Sequence, residues 1–312
     1  TGHTGFKGAW LCIILKYLDS RIYGFALKPE KKSLFSKSNI LKDLSLNTYS
    51  NIQNIKKLKS DIKKSKPEII FHLAAQPLVL ESYKSPLKTF NTNIIGTLNL
   101  LESIRGIKSI KSVIIITTDK VYKINKKNKS YSEVDQLSGS DPYSASKVGA
   151  EIITESYIKS FFNNLNINKK ISTARAGNVI GGGDFSKNRL VPDILKAINA
   201  NKKLFVRNPN HIRPWQHIFE PITGYLMLIE NFYHYKNINR KDYSWNFGPN
   251  LSSCVSVSHI IKIFNKFSQI KFEIINNTNN FVETKYLTLN SFKSKKYLHW
   301  KPTWSLNTAI EN

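Results

Sequence analysis

What this chain has little of narrows it first. Across 312 residues there are two cysteines, Cys12 and Cys254, and a single methionine. The cysteines form no CxxC pair and no metal-ligand spacing, so a disulfide scaffold or zinc module is excluded and no metal is expected. No apolar run is long enough to span a bilayer, and nothing resembles a secretory leader. The expected location is therefore the cytoplasm, with no membrane partner. Acidic residues are also scarce: 21 Asp and Glu stand against 47 Lys and Arg, a formal charge of +26. Such a charge can mark a nucleic-acid or anionic-membrane surface. Here the lysines recur almost everywhere ("KKLKSDIKKSKPE", "KINKKNKS", "SFKSKKY"), with no single stripe and no nucleic-acid motif. That pattern is a lysine-rich surface, and no nucleic-acid partner is expected.

What is present has order. Hydrophobic residues make up 41% of the chain, enough for a sizeable core. The chain opens on "TGHTGFKGAW", where Gly2, Gly5 and Gly8 lead into the helical pattern "FKGAWLCIILKYL" with no strand before it. Strand-like runs then follow at "IYGFAL", "PEIIFHLAA", "SVIIITT" and "ISTARA". Between them, beyond a lysine-rich stretch, lie helical patterns at "IQNIKKLKSDIKK", "PLKTFNTNIIGTLNLLESI" and "YSASKVGAEIITESYIKSFF". Strands alternating with long helices give a parallel sheet with crossover connections. Ligands bind such sheets beyond the carboxyl ends of the strands. Those ends carry the glycine loop, "AAQPL", "TTDKVY" and "RAGNVIGGGD".

Two of these features carry chemistry. Closely spaced glycines let backbone amides approach a pyrophosphate, and the following helix N-terminus adds positive potential. Tyr143 and Lys147 in "YSASK" lie four apart on one helical face. An ammonium beside a phenol favours the phenolate and lowers a pKa that is ordinarily about 10. The pair then suits general-base work on a sugar hydroxyl.

The combination "TGHTGFKG", "FHLAAQPLV", "TNIIGT", "TTDK", "DPYSASK", "RAGNVIGGGD" and "RPWQHIFEP" resembles the extended short-chain dehydrogenase/reductase superfamily. Within it the chain is closely similar to the CDP-glucose 4,6-dehydratases over essentially its whole length. The resemblance implies an α/β fold: a Rossmann-like doubly wound parallel sheet with a smaller α/β substrate-binding domain. A dinucleotide-binding domain is expected over 1–176, with 215–248 returning to it. A nucleotide-sugar-binding domain is expected over 177–214 and 249–312. Relatives carry a short strand before the glycine loop and continue past "KPTWSLNTAIEN", so the first strand and the C-terminal end are expected to be missing. A homo-oligomer, dimer or tetramer, is also implied.

The resemblance assigns roles as well. Tyr143 takes the proton of the sugar 4-hydroxyl, Lys147 binds the nicotinamide ribose and tunes Tyr143, and Thr118 bonds the 4-oxygen. Asp119 protonates the departing 6-hydroxyl, which requires a raised carboxyl pKa. Lys120 stands where relatives place the base for C5; base catalysis and electrostatic support of the enolate both remain open. Cofactor contacts are expected at Gly2, Gly5, Phe6 and Gly8 around the pyrophosphate, and at Asp43 and Leu44 on the adenine. Ala74, Ala75 and Gln76 should line the ribose side, and Asn93 joins the set. NAD is the implied cofactor, although Lys28 follows the strand-like run ending at Leu27, where an acidic residue suits NAD, which leaves NADP open. Asn178, Arg189, Arg207, Arg213 and His217 should hold the nucleotide sugar, since arginine suits a diphosphate by bidentate donation. One departure is Leu80, where relatives usually have arginine. The implied product is CDP-4-dehydro-6-deoxyglucose, for deoxysugar and O-antigen synthesis. Two other readings stay open: a nucleotide-sugar 4-epimerase, and a redox-inert basic binding protein.

Overall fold

The computed structural model describes residues 1–124, 129–162, 169–234, 243–275 and 284–312. Along the chain come β1 (Ile22–Ala26), β2 (Leu44–Tyr49), β3 (Ile69–His72), β4 (Ser112–Ile116) and the two-residue β5 (Ser130–Tyr131). There follow β6 (Lys170–Ala176), β7 (Asn178–Ile180), β8 (Leu204–Val206) and β9 (Ile212–His217). Last come β10 (Ser244–Phe247), β11 (Cys254–Ser256), β12 (Phe272–Ile274) and β13 (Thr288–Leu289).

Strand β4 shows why the sequence folds as it does. Every one of its residues is buried, as in a parallel sheet covered on both faces. Ile114 and Ile116 pack with Leu11 of the Phe6–Tyr17 helix and Tyr225 and Leu228 of the Phe219–His234 helix. Val113 and Ile115 point the other way, toward Leu58, Leu100, Leu101 and Ile158. The period of two along the strand thus feeds two cores. β4 lies between β3 and β6 in a four-stranded parallel sheet of order β10-β6-β4-β3.

A second parallel pair, β1 and β2, lies beyond β3. The backbone of Thr1 and Gly2 joins the two: the Thr1 amino group donates to Phe71 O (2.7 Å), and Leu73 N donates to Thr1 O (3.1 Å). Gly2 N donates to Phe25 O (2.9 Å). Gly2 has φ +74°, and a Cβ there would come within 2.5 Å of Ala74 N, so only glycine fits.

The smaller unit is mixed. β7 runs parallel to β9 and β11 antiparallel to it, while β8 pairs with β12. Its core gathers Ile194, Val206, Trp215, Ile260 and Phe264. The architecture is a Rossmann-like parallel α/β sheet with a smaller mixed-strand domain. Two local features differ from the sequence reading. β2 falls in the stretch read only as lysine-rich, because its residues are half-buried or exposed and give no apolar run. The helical pattern over 86–104 contains a five-residue π-helical segment, Asn91–Ile95. Among the described residues no helix is long and apolar enough to cross a membrane.

Candidate active site

The carboxyl ends of β1, β3, β4 and β6 open into one cleft of about 1860 Å³. At one end is the glycine loop. Gly5 caps the Phe6–Tyr17 helix without a side-chain bond, so the first-turn amides of Phe6, Lys7 and Gly8 point out of the helix N-terminus. All three residues line the cleft, as do Gly2 and Gly5. A Cβ on Gly5 would meet nothing nearer than Gly2 O at 3.5 Å, so the loop faces open space. Beyond it the cleft continues past Lys28, Ser50, Asn51 and Ile52 on one side and Ala74 and Ala75 on the other. Helix-terminal amides for phosphate, flanked by polar and apolar groups for a nucleoside, fit a dinucleotide.

The helix that carries Tyr143 and Lys147, Pro142–Tyr157, is set by its cap. Asp141 Oδ1 accepts from the backbone N–H groups of Tyr143 (2.9 Å) and Ser144 (3.0 Å), and Ser144 Oγ returns a bond to Asp141. Proline at the first helical position costs no hydrogen bond there. This capping box puts Tyr143 in the first turn, beside the end of β4, with Lys147 one turn deeper. Both are buried and both line the cleft.

Thr118 caps the short Asp119–Val121 turn and hydrogen-bonds Tyr143. Its hydroxyl also donates to Asp119 Oδ1 (3.0 Å). Asp119 is buried, its Oδ2 has no hydrogen-bond partner, and burial raises its pKa against the opposing pull of Lys120 and Arg213. Lys120 is half-buried on the cleft wall, its backbone N–H 3.4 Å from Thr118 Oγ1. Thr118, Asp119, Lys120, Tyr143 and Lys147 are therefore brought together on one wall.

The charges differ from the sequence expectation in one respect. Burial pushes the Tyr143 phenol up to about 12, with the Thr118 hydrogen bond working the other way. Lys147 donates to Ile116 O (3.0 Å), and burial lowers its pKa to about 8. Desolvation outweighs the hydrogen bond from Thr118 and the pull of Arg189, so the spacing to Lys147 does not by itself give a low-pKa phenol. Lys7, a cleft residue, is lowered to about 7 by burial and by the nearby cations Arg189 and Lys147.

Asn178, Arg189, Arg207 and Arg213 line the same cleft. Arg189 pairs with Asp184 (3.0 Å), and Arg213 donates to Ile212 O (2.9 Å). Several expected contacts lie elsewhere. His217 stacks on Trp304 with centroids 4.2 Å apart and meets Phe219 edge-on, and it is not a cleft residue. Burial lowers it to about 4, as suits a neutral ring in an aromatic cluster. Asp43 pairs with Lys16 on the outer side of the first helix. Leu44 opens β2 at the end remote from the cleft, and neither residue lines it; Ser50 to Gln53, just past the other end of β2, do. Gln76 and Asn93 sit behind the wall. Asn93 bonds the backbone of Gln76 (2.8 and 3.1 Å) and Ser146 Oγ (2.8 Å), bracing the Ala74–Ala75 loop against the Pro142–Tyr157 helix.

The GDP-mannose 4,6 dehydratase family model matches residues 1–312. The CDP-glucose 4,6-dehydratase of Salmonella typhimurium is 39% identical, over 99% of this chain and 87% of that protein. The UDP-glucose 4-epimerase of Mycoplasma genitalium is 24% identical, over 100% and 93%. Among solved structures, a dTDP-glucose 4,6-dehydratase from Bacillus anthracis in complex with NAD superposes with TM-score 0.81 at 21% identity, covering 99% of this chain and 92% of that one. A UDP-glucuronic acid 4-epimerase from Bacillus cereus, in complex with UDP-glucuronic acid and NAD, gives TM-score 0.82 at 24% identity, covering 99% and 95%.

Proposed function

This chain belongs to the GDP-mannose 4,6 dehydratase family, within the NAD-dependent epimerase/dehydratase superfamily, and we propose that it removes water from CDP-glucose to give CDP-4-dehydro-6-deoxyglucose. The choice of CDP-glucose is supported by the 39%-identical Salmonella relative of that activity. NAD is the cofactor: the amides of Phe6, Lys7 and Gly8 hold its pyrophosphate, and Tyr143 and Lys147 flank its nicotinamide ribose. Bound there, NAD would supply a reversible hydride acceptor for oxidation at C4 and reduction at C6.

Tyr143 accepts the proton of the 4-hydroxyl, with Thr118 bonded to the same oxygen. The ketone at C4 acidifies the proton at C5. Lys120 takes that proton or holds the charge of the enolate. Asp119 then donates a proton to the 6-hydroxyl, which leaves as water; the C5–H and C6–O bonds are the two that break, and a proton returns to C5 as C6 is reduced. Arg189, Arg207 and Arg213 hold the diphosphate and base.

The observation that carries the dehydratase reading is Asp119. It is a buried carboxyl whose pKa is raised by burial, with one oxygen unpartnered, one residue from the threonine that bonds Tyr143. A 4-epimerase expels no hydroxyl and needs no such acid. Asp119→Asn should keep oxidation at C4 and lower water loss by about 10²-fold or more. Single-turnover product analysis reads both steps. Parental water loss in the variant would remove Asp119 from the mechanism.

A further inference from the structure

Behind the catalytic turn lies an ion pair that no step above uses. Arg175 of β6 meets Glu151 of the catalytic helix through Nε–Oε1 (2.9 Å) and Nη2–Oε2 (3.0 Å), both side chains fully enclosed. We propose that Glu151 and Arg175 are positioning residues that clamp both ends of the Thr118–Lys120 turn, with the Glu151 carboxylate set one helical turn from Lys147. This rests on the reading of that turn as the acid–base machinery.

The upstream end is held by Thr117, whose Oγ1 donates to Glu151 Oε1 (2.5 Å). The downstream end is held by Tyr122, whose hydroxyl accepts from Arg175 Nη1 (2.9 Å) and donates to Asn246 Oδ1 (2.6 Å). Thr173 Oγ1 fills the remaining place on Glu151 Oε2 (2.6 Å), and Ser244 Oγ accepts from Arg175 Nη2 (3.1 Å). One carboxylate thus anchors the catalytic helix, the end of β4 and β6 together. Buried ion pairs are often replaceable by apolar side chains without loss of stability, so stability alone is a weak reason for this one. Placement is a stronger reason, because a shift near 1 Å at reacting groups costs about 10²-fold in rate.

The same carboxylate lies one helical turn beyond Lys147 and favours its charged form. The groups facing Lys147 are Glu151 and Tyr143 on its own helix, Lys7 on the first helix and His72 on β3. Glu151 is the anion among them. Removing its charge makes the ammonium easier to deprotonate, so activity that needs Lys147 charged is lost at lower pH.

The test uses the NAD-loaded full chain with CDP-glucose and three variants: Tyr122→Phe, Thr117→Val and Glu151→Gln. The first two each remove one hydroxyl and should lower kcat by roughly 5–20-fold with KM unchanged. Glu151→Gln should lower kcat by about 100-fold and move the alkaline limb of its pH profile down by about one unit. Variants with a lower Tm, a parental kcat per folded enzyme and an unmoved profile would overturn the proposal and leave a structural ion pair. If Glu151→Gln does not fold, the kcat of the other two decides. If the parent yields no dehydrated product, the dehydratase reading has failed instead. Titration of Lys147 in lysine-labelled parent and Glu151→Gln by NMR then decides, and an unchanged midpoint overturns the proposal.

Discussion

Tyr143→Phe should lower turnover by about 10²–10⁴-fold and leave NAD affinity within a few-fold of the parent. The substitution removes one hydroxyl from a buried ring held by the Asp141 cap, so the helix and the cleft wall remain in place. What is lost is the proton acceptor for the 4-hydroxyl and the partner of Thr118. The variant should therefore form neither reduced cofactor nor dehydrated sugar. Steady-state rates and cofactor titration together check this, and activity within a few-fold of the parent would remove Tyr143 from the chemistry.

Lys120→Met divides the reaction differently. Methionine keeps the length of the side chain and deletes the ammonium, so packing loss is small. If Lys120 acts only in the elimination, oxidation at C4 still proceeds. Absorbance of reduced nicotinamide should then rise after CDP-glucose is added, while the dehydrated sugar falls by about 10²-fold or more. The ammonium also opposes burial in setting the Asp119 pKa, so its removal moves Asp119 further in the direction that favours the protonated acid. Product at the parental rate would show that Lys120 is neither base nor enolate support. No reduced cofactor at all would place it in oxidation or substrate binding.

The site was legible where local chemistry and chain order sufficed. The glycine loop, the Thr118–Lys120 turn and the Tyr143–Lys147 spacing all sit at strand ends or on a helix face. Those positions follow from alternation of elements and from helical period. The cleft wall beside β2 is not legible in the same way. β2 is half-covered, so its residues show no apolar run; the expected Asp43 and Leu44 lie at its start, while the residues that line the cleft, Ser50–Gln53, follow its end. The "LSLNTY" run closing on a Ser-Asn turn was the signal available. The position of His217 outside the cleft is not legible for another reason: its partner Trp304 is far along the chain, and only tertiary packing reveals the stack. The raised Tyr143 phenol is of the same kind, because desolvation depends on what covers the ring and not on the spacing to Lys147.

The most direct measurement is the mass of the product formed when NAD-loaded protein is given CDP-, dTDP-, UDP- and GDP-linked sugars in parallel. The predicted result is a product lighter by one water from CDP-glucose, formed faster than from the other nucleotides. An isomer of unchanged mass, with its 4-hydroxyl inverted, would contradict the dehydratase account and make the chain an epimerase.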